Sequence, residues 1–494
     1  MTKQLATLVL TLLIANVCSA SERPNILLIV SEDNGPELGC YSDPYAQTPV
    51  LDHLAATGVR FANAFVPYPV CSPSRACFLT GLYPHQNGQV GLATHKFAMF
   101  EGTRTLPSIL HNNGYRTGMI GKLHVNPEKE FRFDFRKITG VNFGSRNVRS
   151  YADAAAEFFK QDSDKPFFLS INYPDAHFPL HRQQFGLPKV PIEADDVRPL
   201  PWVGVDSPRL RQFTADYYNC MRRLDDGIGM LLERLKESGH AENTLVVYIG
   251  DHGAQFSRGK CSVYEAGLRI PMIVRWPGNL VAGTVRDELT STLDLVPTFL
   301  TAAGIGVPSE LPGHVLQPLL RGEPAPSTWR KHIVGFTTGA APGIFYFQQS
   351  IRDTRHKLIL NPMAETSDNK NLFAEAYLKQ YNSHFAAGCT AEEIATAPQA
   401  VQDAYHRFLT PPPYELYDLQ NDPHEFNNLA DSSSHAEVKA RLIAEFRKWQ
   451  VATSDPFANT DNLKSFTRSQ LDAINTNYRR DKTFRWPYLD EFRK

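Results

Sequence analysis

The sequence predicts an α/β fold: a large, mostly parallel sheet flanked by helices, followed by a smaller α+β unit. Three observations predict it. Four short apolar runs, NILLIV (25–30), TGMI (117–120), PFFLSIN (166–172) and TLVVYIG (244–250), have the length and texture of strands buried on both faces. Helical patterns separate them, and strand–helix alternation implies a parallel sheet. Each run ends in polar, reactive residues, and ligands of open α/β sheets sit beyond the carboxyl ends of strands.

The chain starts MTKQLATLVLTLLIANVCSA. Lys3, the apolar core Leu5–Ala15 and the small residues Cys18-Ser19-Ala20 read as an export signal over 1–20. The apolar stretch is far shorter than the roughly 20 residues a membrane span needs, so no stable membrane insertion is expected. The expected location is periplasmic or secreted. Acylation at Cys18 is the weaker reading, because Val17 fills a position that wants a small residue.

The first strand runs into Ser31-Glu32-Asp33-Asn34. TPVLDHLAATG (48–58) is a helix with Thr48 as N-cap, Pro49 at the first position and Gly58 at the end. In PVCSPSRACFLTG (69–81), Ser72-Pro73 suits a helix start, which places Cys71 at the first turn. Free backbone N–H groups there favour an anion, and Arg75, four residues on, adds a cation to the same face. This corner would hold a tetrahedral oxyanion against the side chain at 71. Cys77 reads as helix packing.

The second strand runs into Gly121-Lys122-Leu123-His124, the third into Tyr173-Pro174-Asp175-Ala176-His177 and the fourth into Asp251-His252-Gly253. Asp175 is expected to shape its turn. A long helix opens at Ser207-Pro208 and closes at Gly239, with Asp225-Asp226 read as a solvated face. RPLPWVGVD (198–206) is a candidate sugar platform. Lys260 and Arg258 are alternative cations in the stretch after Asp251. GEPAPS (322–327) breaks the pattern. Beyond about 345 the texture becomes that of a C-terminal α+β domain, 346–494, and 21–345 is the expected catalytic domain. GIFYFQQSIRDTRHKLILNP reads there as two antiparallel strands, and YELYDLQNDPHEFNNLA as a strand, a turn and the entry to the helix HAEVKARLIAEFRKWQ.

The 494 residues carry a formal net charge of -1, so no global field draws a polyanion and no nucleic-acid partner is expected. Any anion site must be local. Seven cysteines show no CxxC or zinc-type spacing; one or two disulfides are possible, but no disulfide framework is implied.

C-S-P-S-R followed by FLTGLYPHQNG is similar to the signature of the sulfatases, and RTGMIGKLHVNPE, YELYDLQNDPHEFNNLA and KWQVATSDPF resemble the heparan N-sulfatase (sulfamidase) group within that family. The resemblance implies an alkaline-phosphatase-like fold. It also implies that a formylglycine-generating enzyme oxidises Cys71 to formylglycine, whose aldehyde hydrates. One hydroxyl then attacks sulfur and the other expels sulfate. It implies one Ca²⁺ held by Glu32, Asp33, Asp251, His252 and residue 71. Glu32 stands where the family usually has aspartate, and His252 where it usually has asparagine. Lys122 and His124 match the pair that contacts sulfate and the aldehyde hydrate. His177 matches the acid that protonates the leaving group, and Lys260, with Arg75 and Lys122, the cations around sulfate.

The implied substrate is a sulfate ester or sulfamate of a sulfated oligo- or polysaccharide. An O-sulfatase of an algal galactan such as carrageenan is the alternative to a sulfamidase. Outside these stand a phosphoester or phosphonate hydrolase of the same superfamily and an inactive glycan-binding homologue with unmodified Cys71. Specificity is expected from loops around 90–105, 140–150 and 178–205 and from the C-terminal domain.

Overall fold

Nine strands form the larger sheet: β1 (Asn25–Ser31), β2 (Val59–Phe65), β3 (Arg116–Gly121), β4 (Phe135–Lys137), β5 (Phe167–Asn172), β6 (Thr244–Gly250), β7 (Arg269–Arg275), β8 (Thr284–Arg286) and β9 (Thr290–Ser291). The structure, a computed structural model, describes residues 23–140, 146–161, 164–366, 369–379 and 387–493. The expected export signal and part of the 140–150 loop lie outside the described residues. Among the described residues, no helix is long and apolar enough to cross a membrane.

The strand order is β4-β3-β5-β1-β6-β7-β2-β8, with β9 also paired to β2. All pairings are parallel except those of β7 with β6 and β2. Two reversals cancel, so β2 runs the same way as β1. The carboxyl ends of β1, β2, β3, β5 and β6 therefore share one edge. The four runs read from sequence are β1, β3, β5 and β6, and β1, β5 and β6 are buried at every position. RIPMIVR, the antiparallel β7, was not read as a strand.

Four helices flank the sheet region: α1 (Pro49–Ala56), α2 (Cys71–Thr80), α3 (Val148–Phe159) and α4 (Pro208–Glu237). α1 packs on β2 and β7, α3 on β3, and α4 against α1 and α3. α2 is buried all round, a core helix with no solvent face, and ends at Gly81 in the left-handed region (φ 74°). α4 is capped as expected, Ser207 Oγ accepting from Leu210 N at 3.2 Å.

α1 corrects two expectations. Thr48 occupies the N-cap position, but its side chain makes no capping bond. The cap comes from Asp225 of α4, whose carboxylate accepts from Val50 N (3.0 Å) and Leu51 N (2.8 Å). Asp225 is 2% exposed, so it is no solvated face; only Asp226 is exposed. A buried carboxylate is tolerated here because it meets two orphan N–H groups of a helix start.

A second, antiparallel sheet runs β10 (Ile333–Ala341), β11 (Ile344–Arg352), β12 (His356–Leu360) and β13 (Tyr414–Asp418). β11, β12 and β13 are the C-terminal strands read from sequence. The β10–β11 hairpin spans residue 345. Helix α5 (Ala436–Ala452) closes a small core of Val334, Ile351, Leu358, Leu416, Leu442 and Phe446 on this sheet.

Asp225→Ala removes the partner of two buried N–H groups. It is expected to lower unfolding free energy by about 2 kcal/mol, read as a shift in denaturant midpoint at unchanged m-value. A change below about 0.5 kcal/mol would show that the cap carries no weight.

Candidate active site

The ends of the five co-directed strands meet around Cys71. β1 hands over directly to Glu32 and Asp33. β6 hands over to Asp251, whose N–H donates to Ser31 O (2.9 Å), while Asp33 N–H donates to Asp251 Oδ1 (3.0 Å). β3 ends at Gly121, which adopts φ 92° and lies so close to Asn172 that a Cβ would sit 2.2 Å from its carbonyl oxygen. Only glycine fits this exit, which releases Lys122 toward Glu32. After β5, Glu32 N–H donates to Asp175 O (3.0 Å) and Ala176 N–H to Glu32 O (2.6 Å), so the His177 loop is stitched to the Glu32 backbone.

Cys71 is the first residue of α2 and 2% exposed. Its Sγ lies 3.3 Å from His252 Nε2 and 3.9 Å from Asp33 Oδ1. Arg75 is 1% exposed and directs every arm of its guanidinium at protein. Nε and NH2 donate to Asp251 Oδ2 (3.2 and 3.1 Å), and NH2 also to Glu32 Oε1 (3.3 Å). NH1 donates to Asn172 Oδ1 (2.8 Å) and to Lys122 O (2.9 Å). Arg75 thus lies beneath the ring of acids as its organiser. Lys122 Nζ bonds Glu32 Oε2 (2.8 Å); Lys260 Nζ bonds both oxygens of Asp33 (2.9 and 2.7 Å). His177 places Nε2 3.9 Å from Asp33 Oδ2, with Nδ1 2.6 Å from Phe178 O. His124 is half-buried, and neither of its buried ring nitrogens has a hydrogen-bond partner among the described residues.

The charges tune one another. Burial alone would raise the Cys71 thiol, but Lys122, Lys260 and His252 bring it down to about 5. Burial pushes the Cys77 thiol the opposite way, with no cation beside it. Burial would lower His252; Asp251, Cys71 and Asp33 raise it to about 9. Burial would raise Asp251, but His252, Arg75, Lys122 and Lys260 hold it at about 2. Burial, reinforced by the nearby lysines, drives His177 and His124 well below the usual imidazole range.

Donor atoms of Asp33, Cys71, Asp251 and His252 lie within 4.8 Å of one another, as do those of Glu32, Asp33, Cys71 and His177. This set fits a divalent cation. Two carboxylates stand in each group, and His252 turns Nδ1 to Gly253 O (2.9 Å) while Nε2 faces Asp33 Oδ1 (3.2 Å) and Asp251 Oδ1 (3.6 Å). That is the posture of a ligating imidazole, fixed through its other nitrogen.

The structure brings together all ten residues singled out from sequence: Glu32, Asp33, Cys71, Arg75, Lys122, His124, His177, Asp251, His252 and Lys260. Arg258, the alternative to Lys260, is elsewhere: its guanidinium lies 4.6 Å over Tyr264 and 4.7 Å over Phe426, bonded to Trp202 O and Glu425 O. Trp202 is 9% exposed, so RPLPWVGVD offers no open sugar platform through its tryptophan. Asp175 does shape its turn, held by Arg223 (2.9 and 2.7 Å) and Arg146 (3.1 Å). Sequence reasoning missed Asn172 and Gln255, which hold Arg75 and Lys260 (2.8 and 3.3 Å). Asn172 closes a buried strand, and that polar residue was the available signal.

Residues 24–305 match the Sulfatase family model, and residues 250–375 match the model "N-sulphoglucosamine sulphohydrolase, C-terminal". Human N-sulphoglucosamine sulphohydrolase is 31% identical over 482 residues, covering 90% of this chain and 93% of the relative. An ulvan-active sulfatase of Formosa agariphila is 29% identical over 446 residues, covering 88% and 81%. Among solved structures, one in complex with its substrate D-glucosamine-2-N,6-O-disulfate superposes with TM-score 0.66 at 21% identity, covering 88% of this chain and 99% of the other.

Arg75→Ala would leave Glu32 and Asp251 buried without their shared cation. The expected loss is about 3–5 kcal/mol of stability, seen in chemical denaturation, with partial recovery in Arg75→Lys. A loss below about 1 kcal/mol would contradict the organising role.

Proposed function

The chain belongs to the sulfatase family and is a sulfuric ester hydrolase, and from that premise we propose that it is an exported, formylglycine-dependent, calcium-binding enzyme that removes sulfate from a sulfated glycan. The observation that carries this reading is the placement of residue 71 at the start of α2, 3.3 Å from His252 Nε2 and enclosed by three acids and three bases.

Formylglycine at position 71, made from Cys71 by a formylglycine-generating enzyme, supplies a hydrated aldehyde as oxygen nucleophile. Cys71 is 2% exposed, so that enzyme must reach it before the chain has folded around it. Bound Ca²⁺ supplies charge that neutralises sulfate oxygens. Glu32, Asp33, Asp251 and His252 would hold it, and an oxygen at 71 suits a hard cation better than a thiol does.

The remaining roles belong to the chain. Glu32, Asp33 and Asp251 formally balance Arg75, Lys122 and Lys260, so a dication makes the ring net positive and attractive to an anionic ester. Lys122, Lys260 and His124 bind the ester's oxygens. His177 faces the ring through Nε2, with Nδ1 against the Phe178 carbonyl, so Nε2 is the atom that passes a proton to the leaving group. An arriving negative charge favours the charged imidazole and offsets the burial that otherwise keeps it neutral.

The glycan assignment rests on the relatives named for N-sulphoglucosamine and for ulvan. The first favours a sulfamidase, the second an O-sulfatase of an algal polysaccharide. Both use the same sulfate-handling residues, so a panel of N-sulfated and O-sulfated oligosaccharides separates them.

Three outcomes are expected. Matched aryl sulfate and aryl phosphate esters should release inorganic sulfate in preference, and Cys71→Ala should lose about 10³-fold or more; preferential phosphate release, or an active alanine variant, would overturn the reading. His177→Ala should cost about 10²–10⁴-fold with a sugar leaving group and much less with an acidic phenol. Equal losses would rule out a proton donor. Ca²⁺ should raise the thermal midpoint of chelator-stripped protein, and Asp33→Asn or Asp251→Asn should abolish that rise. A calcium-insensitive melting curve would count against the metal.

A further inference from the structure

A cleft of about 550 Å³ opens onto Lys122 and His124, the two residues on which the proposed sulfate site and the solvent side meet. Its volume lies in the range of small-ligand sites. Thr94, Asn126, Glu128 and Arg136 also line it. Asn126 braces one wall, its Nδ2 donating to Ala93 O (2.9 Å) and Phe97 O (3.1 Å).

The strand β4, at one edge of the larger sheet, contributes Arg136 to this lining. It runs parallel to β3, with Arg136 in register with Met119, so Arg136 stands at the sheet edge where β3 releases Lys122. Side chains alternate along a strand, and neighbouring Lys137 pairs instead with Glu157 (3.1 Å). Arg136 is therefore the cation of the cleft's rim. Its single ion pair among the described residues is NH2 to Glu128 Oε2 at 2.9 Å, with the two side chains 35% and 54% exposed. A pair so exposed is worth little and exchanges readily. Nε and NH1 have no hydrogen-bond partner among the described residues. Deeper in the cleft, His124 offers two unpartnered ring nitrogens.

We propose that Arg136 is a specificity residue that binds a second oxyanion of the substrate, carried on the same glycan as the sulfate to be removed. This rests on the glycan-sulfatase reading above and deepens it. The guanidinium presents a planar fork that grips a sulfate or carboxylate through two parallel bonds, whereas a sugar hydroxyl offers neither the charge nor the second acceptor. Glu128 occupies NH2, which both forks of the guanidinium share, so two parallel bonds form only with a group that displaces a carboxylate, which an oxyanion can do and a neutral hydroxyl cannot. The predicted substrate is thus multiply charged, with its second anion either another sulfate or a uronate carboxylate.

The test is steady-state sulfate release by mature enzyme and its Arg136→Ala variant. The substrates are oligosaccharides bearing a second sulfate, a uronate carboxylate or neither, and a small aryl sulfate. For the oligosaccharide whose second anion fits, the variant should raise KM about tenfold with kcat within about twofold. The wild-type rise of KM with salt should flatten, and Arg136→Lys should recover part of the loss. The singly charged oligosaccharide and the aryl sulfate should be unaffected, and whichever of the two anions responds identifies the source. Equal losses on every substrate, or none on either doubly charged one, would overturn the proposal. Calorimetric binding of the same oligosaccharides to Cys71→Ala, with and without Arg136→Ala, asks the question without turnover. A Kd unchanged by Arg136→Ala refutes the subsite even if the enzyme releases no sulfate, and a tenfold loss supports it even then.

Discussion

One buried guanidinium fixes the geometry of everything else. Arg75 leaves the second turn of α2 and reaches Glu32 at the end of β1, Asp251 at the end of β6, Asn172 at the end of β5 and the Lys122 carbonyl just past β3. A cation this deep is tolerated only when each donor finds a partner, and acids this close are tolerated only with a cation among them. Each side enforces the other. The result fixes residue 71, four positions earlier on the same helix, against four strand ends at once. Preorganisation of this kind places charge where a reaction will develop it, with no rearrangement at the moment of reaction.

Outer contacts hold this arrangement in place. Arg146 and Arg223 share Asp175, and Arg146 NH2 also donates to the His177 carbonyl at 2.7 Å, which sets the loop that presents the imidazole. The segment that carries Lys260 is tied on both sides: Cys261 N–H donates to Pro69 O (2.9 Å), and Arg258 anchors to the backbone of Trp202 and Glu425. Lys260 and Cys71 are therefore connected through two short backbone segments rather than by chance proximity. The C-terminal sheet takes part in the same bracing, since Phe336 N–H donates to Pro67 O (3.0 Å) in the loop that leads to Cys71.

Much of this was legible in the sequence because the signals were local. Unbroken apolar runs gave β1, β3, β5 and β6, and the polar residues that follow each run gave the acids, lysines and histidines of the site. Cys71 and Arg75 were legible through helix spacing, and their meaning through a resemblance to a family signature. What was illegible depends on long-range partners. Asp225 reads as a surface acid until α1 is seen to start against it, because its two N–H partners lie 174 and 175 residues away. Trp202 reads as a platform until the fold buries its ring and Arg258 takes its carbonyl. Asn172 is one polar residue at the end of a strand, and no local pattern tells that it faces Arg75. Arg136 gave no signal either, since its significance lies in the register of β4 with β3.

The central claim is that residue 71 acts as an oxygen nucleophile made from cysteine. The most direct measurement is the mass of the tryptic peptide 61–75 from catalytically active protein. The account predicts a peptide about 18 Da lighter than the thiol form, in a fraction that tracks specific activity from one preparation to the next. Full activity in protein whose residue 71 is entirely unmodified thiol would contradict it.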